Sequence, residues 1–255
     1  MKISVCGKGG SGKSTVATLL AVEAQKKGYR VLVVDSDESN SGLFRILGFD
    51  QPPVPLMESL GGKKGLKERM SQPGVLTESD ISIESIPHPY LLSRDKLMLV
   101  SIGKILQSLE GCACPMGVLS REFLKKLNLK EDELVIVDTE AGVEHFGRGV
   151  EDSLDAVLTV VEPSFESLEL ATRIKDMATG IGIRNVWAVL NKVPSPDIAS
   201  KLEGELAKRN VNIIGCIQHD TEVFKSSLEG GALEGGKAAE EIGQVLDYML
   251  NAKNL

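Results

Sequence analysis

The stretch that decides the fold reads Gly-Lys-Gly-Gly-Ser-Gly-Lys-Ser at residues 7–14. It matches G-x-x-x-x-G-K-[ST] in full and lies between an apolar run at residues 2–7 and an amphipathic run at residues 13–27. Glycines tolerate positive φ and let backbone N–H groups close around phosphates, and a helix N-terminus adds partial positive charge. The stretch therefore predicts a strand, a phosphate-binding loop and a helix in succession.

The loop and the first turn of its helix supply the predicted nucleotide contacts. Lys13 is expected to reach the β- and γ-phosphates, the Ser14 hydroxyl to ligate Mg²⁺, and Thr15 to hydrogen-bond the α-phosphate. The predicted nucleotide-binding residues here are Gly9, Gly10, Ser11, Gly12, Lys13, Ser14 and Thr15.

Short apolar, β-branched runs alternate with longer amphipathic stretches along the rest of the chain. The predicted strands cover residues 2–7, 30–35, 134–138, 156–161, 186–190 and 213–217, and the predicted helices cover residues 13–27, 167–179, 197–209 and 236–250. This alternation indicates an α/β fold, a doubly wound, mostly parallel sheet flanked by helices.

We expect one domain over residues 1–255, because α/β sheets of this length form around a single core. An elaborated insertion is predicted at about residues 51–133, where the sequence is at first rich in Gly and Pro. Within the insertion we predict short strands at residues 81–86 and 96–102 and a helix at about residues 118–127.

Charge and hydropathy argue against several classes of partner. The formal net charge is −7, whereas nucleic-acid binding needs clustered Lys and Arg. No apolar run approaches the ~20 residues that span a bilayer, and residues 240–255 are not a basic amphipathic anchor. The first residues do not read as a secretory leader. We therefore expect a cytoplasmic protein with no nucleic-acid and no membrane partner.

Carboxylates follow two of the predicted strands. Asp35 and Asp37 end the second strand, and Asp138 ends the strand at residues 134–138. The carboxyl ends of parallel strands face the crevice in which open α/β sheets bind ligands. The three aspartates are therefore candidates for Mg²⁺ and nucleotide chemistry, with a turn or helix-cap role as the alternative for each.

The additional loop lysine, Lys8, carries a resemblance to a known family. The pattern KGGSGKS resembles the deviant Walker A class of P-loop ATPases, which includes the nitrogenase iron protein and the Min and Par ATPases. The resemblance implies hydrolysis of ATP by a homodimer in which Lys8 crosses to the partner's nucleotide. It also implies that Lys8, Lys13 and Asp37 are catalytic, with Asp37 orienting the attacking water.

The same resemblance extends to three further segments. It implies that Asp35 and Asp138 join Ser14 in serving Mg²⁺, and that residues 139–142 form a switch that follows the γ-phosphate. Asn191 and Lys192 resemble a base-contacting segment, so they complete the predicted ATP or ADP contacts.

Cys112 and Cys114 lie one residue apart in the predicted insertion. In a reducing compartment such a pair is more readily a metal ligand set than a disulfide. Two thiolates do not complete a site for an ion that prefers four ligands, so a two-fold axis near the pair would supply four sulfurs. Four thiolates suit tetrahedral Zn²⁺, square-planar Ni²⁺ or an iron–sulfur cluster.

The cysteine pair and residues 137–145 together resemble the CooC-type accessory ATPases of carbon monoxide dehydrogenase. The resemblance implies an ATPase that binds Ni²⁺ or Zn²⁺ through an intersubunit site and supports nickel insertion into carbon monoxide dehydrogenase or a related nickel enzyme. The alternatives are an iron–sulfur carrier or reductase and a Min- or Par-like positioning ATPase. Residues 52–74 and the pair at residues 139–140 depart from the pattern.

Overall fold

One sheet runs through the protein, whose computed structural model describes residues 1–105, 114–233 and 235–252. Its strands are β1 (Lys2–Gly7), β2 (Arg30–Asp35), β3 (Leu91–Arg94), β4 (Leu97–Ser101), β5 (Glu133–Asp138), β6 (Ala156–Val161), β7 (Asn185–Val193) and β8 (Ile213–Gln218). Their order across the sheet is β3-β4-β2-β5-β1-β6-β7-β8. All neighbours are parallel except β3 and β4, which are antiparallel.

Helices cover both faces of this sheet. They are α1 (Lys13–Lys26), α2 (Leu43–Ile46), α3 (Gly62–Arg69), α4 (Cys114–Lys126), α5 (Glu144–Gly147), α6 (Phe165–Gly180), α7 (Pro196–Lys208), α8 (Thr221–Glu229) and α9 (Lys237–Ala252), with short 3₁₀ helices at Leu56–Leu60, Ile83–Ser85 and Val150–Ser153. Side chains of α1 and α9 share one apolar cluster with the sheet. Side chains of α4, α6 and α7 belong to three other clusters, which contain the strand side chains that point to the other face of the sheet.

Strand β2 shows why the central strands are continuously apolar. Val31 and Val33 belong to the cluster that contains α1 and α9, whereas Leu32 and Val34 belong to the cluster that contains α4. All four side chains are fully buried. Because successive side chains point to opposite faces, a strand covered on both faces needs apolar residues at every position. The predicted α/β class with a mostly parallel sheet is confirmed.

The middle of the chain differs from its prediction in several places. Residues 81–86 do not form a strand: they contain the 3₁₀ helix Ile83–Ser85, whose ends are fixed by reciprocal Ser82 and Ser85 hydrogen bonds, and a single bridge from Ile81. Strand β4 is confirmed at the predicted place, and α4 begins at Cys114, before its predicted start. Strand β3 was not predicted, because its four residues do not alternate between apolar and polar and none of them is fully buried.

The helices α3 and α8 were also missed, since one is mainly basic and the other buries none of its side chains. Among the described residues, no helix is long and apolar enough to cross a membrane.

Replacement of Phe123 tests the packing of α4 on the sheet. Phe123 is 1% exposed in the cluster that joins α4 to β2 and β5. We expect Phe123→Ala to lower the free energy of unfolding by about 3–5 kcal/mol, because the deletion leaves a cavity. Urea unfolding measures the change. The matched control is Phe165→Ala, whose ring is 66% exposed and whose loss should cost within about 0.5 kcal/mol. Equal effects of the two substitutions would contradict this packing.

Candidate nucleotide-binding site

The loop between β1 and α1 has a backbone that requires glycine at two points. Gly12 has a φ of 96°, and a Cβ added there would lie 2.4 Å from Asn191 Nδ2. Gly7 has a φ of 145°, and a Cβ there would lie 2.6 Å from the carbonyl oxygen of Val160. Left-handed backbone and close approach both exclude larger residues, so the loop keeps its N–H groups free of side-chain cover.

Ser14 connects the loop to the central strand β5. Its hydroxyl donates a hydrogen bond to Asp138 Oδ2 at 2.6 Å and accepts one from Asn40 Nδ2 at 2.9 Å. Lys13 is buried, and its Nζ lies 3.4 Å from the carbonyl oxygen of Lys8. The first turn of α1 therefore places an ammonium and a hydroxyl beside a buried carboxylate.

The parallel register of β2 and β5 sets Asp35 opposite Asp138. Burial, with a smaller contribution from nearby Asp35, raises the pKa of Asp138 to about 7, against the opposing hydrogen bond from Ser14. Burial also raises the pKa of Asp35 to about 6, although Lys104 Nζ lies 2.7 Å from Asp35 Oδ2 and opposes the rise. Each aspartate is thus held in a site that favours its proton until another cation arrives.

Buried oxygens without a hydrogen-bond partner on the pair itself and in the phosphate loop fit a magnesium ion and its nucleotide. Asp35 Oδ1, Asp138 Oδ1 and Ser11 Oγ are buried and make no hydrogen bond with the residues that the structure describes. Carboxylate and hydroxyl oxygens are the ligands that Mg²⁺ prefers, and a divalent cation would lower both raised pKa values. The sequence predicted Ser14, Asp35 and Asp138 for Mg²⁺. The structure brings these three side chains together, and their contact with the ion stays a prediction.

Asp37 orders the turn that follows β2. Its Oδ1 accepts hydrogen bonds from the Ser39 backbone N–H at 2.9 Å, the Ser39 hydroxyl at 2.6 Å and the Asn40 backbone N–H at 3.2 Å. Lys104 Nζ closes the turn from the other side by donating to the carbonyl oxygens of Asp37 and Asn40. Orientation of an attacking water by Asp37 stays a prediction.

Two of these contributors, Asn40 and Lys104, were not predicted. Both lie in segments that follow strands of the sheet, and Lys104 is the first charged residue after β4. Charged residues just beyond the carboxyl ends of parallel strands are a signal that could have found Lys104.

Lys8 pairs with a residue of its own chain. Its Nζ lies 2.9 Å from Glu162 Oε1, just after β6, and the Lys8 side chain is 37% exposed. The hydrogen bond and charge of Glu162 raise the pKa of Lys8. Because water screens an exposed ion pair of this kind, the pair contributes little to stability, and Lys8 can exchange Glu162 for another anion. Contact between Lys8 and a partner's nucleotide stays a prediction.

Asn191 and Lys192 support the loop from the end of β7. Asn191 Nδ2 donates to the carbonyl oxygen of Ser11 at 2.8 Å, and Lys192 Nζ donates to that of Gly10 at 2.5 Å. Lys192 has a positive φ of 58°. Both residues therefore lie at the loop, and their predicted contact with the base is not tested by these bonds.

A cavity of about 380 Å³ opens between the loop, the end of β8 and α8. Its lining includes Thr15, Leu19, Asn191, Asp220 and Phe224. The volume and the mixture of apolar walls with a few polar groups are typical of small-molecule sites. The cavity adjoins the phosphate loop through Gly12 and Thr15, so it is placed to take the nucleoside part of a bound nucleotide.

The predicted cysteine site is only partly visible. Cys112 lies outside the described residues, whereas Cys114 is the exposed first residue of α4 and is disulfide-bonded. This bond differs from the reduced thiol that we expected, and metal binding at Cys114 therefore requires its reduction. In the described part of the chain, no group of three or more His, Cys, Asp or Glu side chains is placed to hold a metal ion.

Comparison with known proteins indicates nucleotide binding, as the geometry of the loop does. Residues 3–233 match the family model of the CobQ/CobB/MinD/ParA nucleotide binding domain. An uncharacterized ATP-binding protein of Methanocaldococcus jannaschii is 48% identical over 241 residues, which cover 91% of this chain and 94% of that protein. The carbon monoxide dehydrogenase accessory protein CooC of Rhodospirillum rubrum is 32% identical over 235 residues, covering 90% of this chain and 88% of CooC.

Among solved structures, the MinD cell division protein of Aquifex aeolicus matches with a TM-score of 0.70 at 19% identity, covering 98% of this chain and 96% of that chain. At this identity the likeness shows the fold. The chain belongs to the CobQ/CobB/MinD/ParA family of nucleotide-binding proteins and is a P-loop ATPase, as its loop predicted. Its cofactors are accordingly ATP or ADP and Mg²⁺.

The raised pKa of Asp138 predicts a pH-dependent stability. An acid whose pKa rises from 3.8 to about 7 on folding keeps its proton better in the folded chain. Without nucleotide and Mg²⁺, its contribution to the free energy of unfolding therefore falls as pH rises through that window. Asp138→Asn removes this fall, so its stability relative to the wild type should increase with pH. Urea unfolding at several pH values measures the difference.

Glu205 provides the control for this measurement, because Lys208 and Arg209 lower its pKa to about 2. Its stabilising contribution is lost only as pH falls from 4.5 toward 2, so Glu205→Gln should differ from the wild type by a constant amount above pH 4.5. A constant difference for Asp138→Asn as well would contradict the prediction.

Proposed function

We propose that this ATPase is an accessory protein that couples a nucleotide-dependent homodimer to metal binding at Cys112 and Cys114, in support of nickel insertion into carbon monoxide dehydrogenase or a related nickel enzyme. The observation that carries the proposal is the 32% identity to CooC over 90% of the chain. The exposed position of Cys114 at the start of α4 supports it, because a metal shared between two copies needs accessible thiols, and reduction of the Cys114 disulfide would provide one there.

In the proposed cycle, the first turn of α1 and the strand ends hold the phosphates and Mg²⁺. Lys13 neutralises charge on the β- and γ-phosphates, and Ser14, Asp138 and Asp35 serve the magnesium shell. Mg²⁺ supplies charge neutralisation at the transferring phosphoryl group. The supporting observation is the set of buried carboxylate and hydroxyl oxygens beside Ser14.

Hydrolysis is assigned to Asp37 and Lys8. Asp37 orients the attacking water from its ordered turn after β2, and phosphoryl transfer requires mainly such positioning. Lys8 leaves Glu162 and contacts the partner's nucleotide, which makes the active site complete only in the dimer. Asn191 and Lys192, with the cavity that they line, receive the nucleoside.

Metal stoichiometry on reduced, anaerobically handled protein tests the proposed site. We expect about one Ni²⁺ or Zn²⁺ per dimer, because four thiolates from two chains complete one site. The Cys112→Ser, Cys114→Ser double variant should bind none while keeping its affinity for ADP. Metal analysis and the mass in solution, with and without nucleotide, measure both.

The matched control is Cys216→Ser, which removes a half-buried free thiol on β8 and should leave the stoichiometry unchanged. Equal binding by the double variant and the wild type, or none by either, would overturn the metal-binding proposal. A visible charge-transfer spectrum with bound iron would instead favour the iron–sulfur alternative.

Lys8→Ala tests the proposed role of the additional loop lysine. We expect the variant to bind ADP but to lose the ATP-dependent dimer, with kcat at least about tenfold lower, because one charged group at the transferring phosphate is missing. Light scattering and phosphate release measure the two effects.

Lys27→Ala is the control for this test. Lys27 Nζ pairs with Asp247 at 2.8 Å, and its side chain is 35% exposed, which matches the pairing and exposure of Lys8. This control should dimerise and hydrolyse ATP like the wild type. A Lys8→Ala protein that also dimerises and hydrolyses ATP like the wild type would contradict the proposed role of Lys8 at the partner's nucleotide.

A further inference from the structure

A partly buried guanidinium, that of Arg148, joins the two strand-end segments beside the nucleotide site. Arg148 Nη1 lies 2.5 Å from Glu140 Oε1, as an ion pair without hydrogen-bond geometry, and 3.5 Å from Glu38 Oε1. All three side chains are largely buried. Glu38 directly follows Asp37, and Glu140 lies two residues after Asp138. Arg148 therefore contacts both segments that the proposed cycle places around Mg²⁺ and the attacking water.

The same arginine lies against α4. A Cβ added at Gly117 would lie 2.5 Å from Arg148 Cδ, so the arginine stem crosses the helix where it has no side chain. Arg121 Nη1 donates to the carbonyl oxygen of Arg148 at 3.3 Å. Gly117 is three residues after Cys114, which begins the helix. The contact is therefore within one turn of the thiol.

A second connection runs parallel to the first. Ser36 Oγ, just after β2, and Ser120 Oγ, on the following turn of α4, are 3.0 Å apart and hydrogen-bonded. The segment after β2 is thus connected to α4 by the Ser36–Ser120 hydroxyl pair. Arg148 provides the second connection, since it lies against α4 and contacts the segments after both β2 and β5.

We propose that Arg148 is a positioning residue that couples the nucleotide state of the strand-end segments to α4 and so to the Cys114 thiol. The inference rests on the proposed function only in assuming that Glu38 and Glu140 change position with the nucleotide that is bound. A guanidinium presents donors in a rigid fork and can hold two carboxylates at once. Because packed elements shift between discrete arrangements, a change at either carboxylate moves the arginine stem against Gly117.

The alkylation rate of Cys114 reports this coupling. The experiment uses reduced protein in a Cys112→Ser background, with ADP or a non-hydrolysable ATP analogue, and mass spectrometry of the peptide that contains Cys114. We expect the rate constants in the two nucleotide states to differ by at least about fivefold, the lower end of ordinary coupling between sites. With Arg148→Met the ratio should fall close to one, and with Arg148→Lys it should be intermediate, because lysine keeps the charge and lacks the fork.

Two further variants separate coupling from damage to the fold. Arg148→Met leaves the neighbouring Glu38 and Glu140 carboxylates without the arginine charge. The Arg148→Met, Glu140→Gln double variant therefore removes one of those two negative charges and should show the same loss of coupling. Arg209→Met is the matched control: Arg209 bridges Glu205 at 2.8 Å and Glu169 at 3.3 Å, away from α4, and its loss should leave the ratio unchanged.

The inference is overturned if Arg148→Met and the double variant keep the fivefold ratio, or if the parent protein shows no nucleotide dependence at Cys114. It is also overturned if Arg148→Met loses the nucleotide-dependent dimer, because the arginine would then act on association. Loss of coupling in Arg148→Met with an unchanged dimer supports it. That result would stand even if no metal bound to the cysteines, so the failure of the proposed function is a separate outcome.

Discussion

A carboxylate with no exposed surface, Asp138, is the constraint around which the nucleotide side of the molecule is arranged. The cost of burying such a charge is high unless something compensates it. The hydroxyl of Ser14 compensates with one hydrogen bond. The β2–β5 register places a second acid, Asp35, opposite Asp138 and adds to the cost, and Lys104 offsets the charge of Asp35. The phosphate loop, the ends of β2 and β5, and Lys104 in the segment after β4 are thereby brought to one point. The site is a consequence of compensating this buried charge.

The parts of this arrangement that sequence could predict are local or obey the rule for strand ends. The loop at residues 7–14 specified a strand, a turn and a helix, because its glycines and its flanking apolar periodicity act within a short segment. Asp35 and Asp138 could be expected at one edge, since parallel strands end together. Their direct opposition depends on β2 and β5 being neighbours, although 97 residues of chain separate strands that the order of the sheet makes adjacent.

What sequence could not supply are the partners that tertiary placement provides. Lys104 contacts Asp35 and the Asp37 turn because β4 pairs with β2. No sequence pattern near residue 104 indicates that pairing. The 3₁₀ helix in place of a strand at residues 81–86 reflects a serine capping box that competes with extended backbone. Arg148 likewise reads as an ordinary charged residue until the fold sets two carboxylates and Gly117 around it.

Strand β3 disfavours strand pairing between copies of this chain at one edge of the sheet. It is the edge of the sheet, it is only four residues long, and its final residues Ser93 and Arg94 are exposed. A short edge that ends in a charged side chain is a poor template for pairing with the strand of another molecule. Growth of a continuous intermolecular sheet from this side is therefore disfavoured. The proposed dimer, which joins two copies through the phosphate-loop face, would instead be a closed assembly that stops at two copies and leaves no free end for a filament.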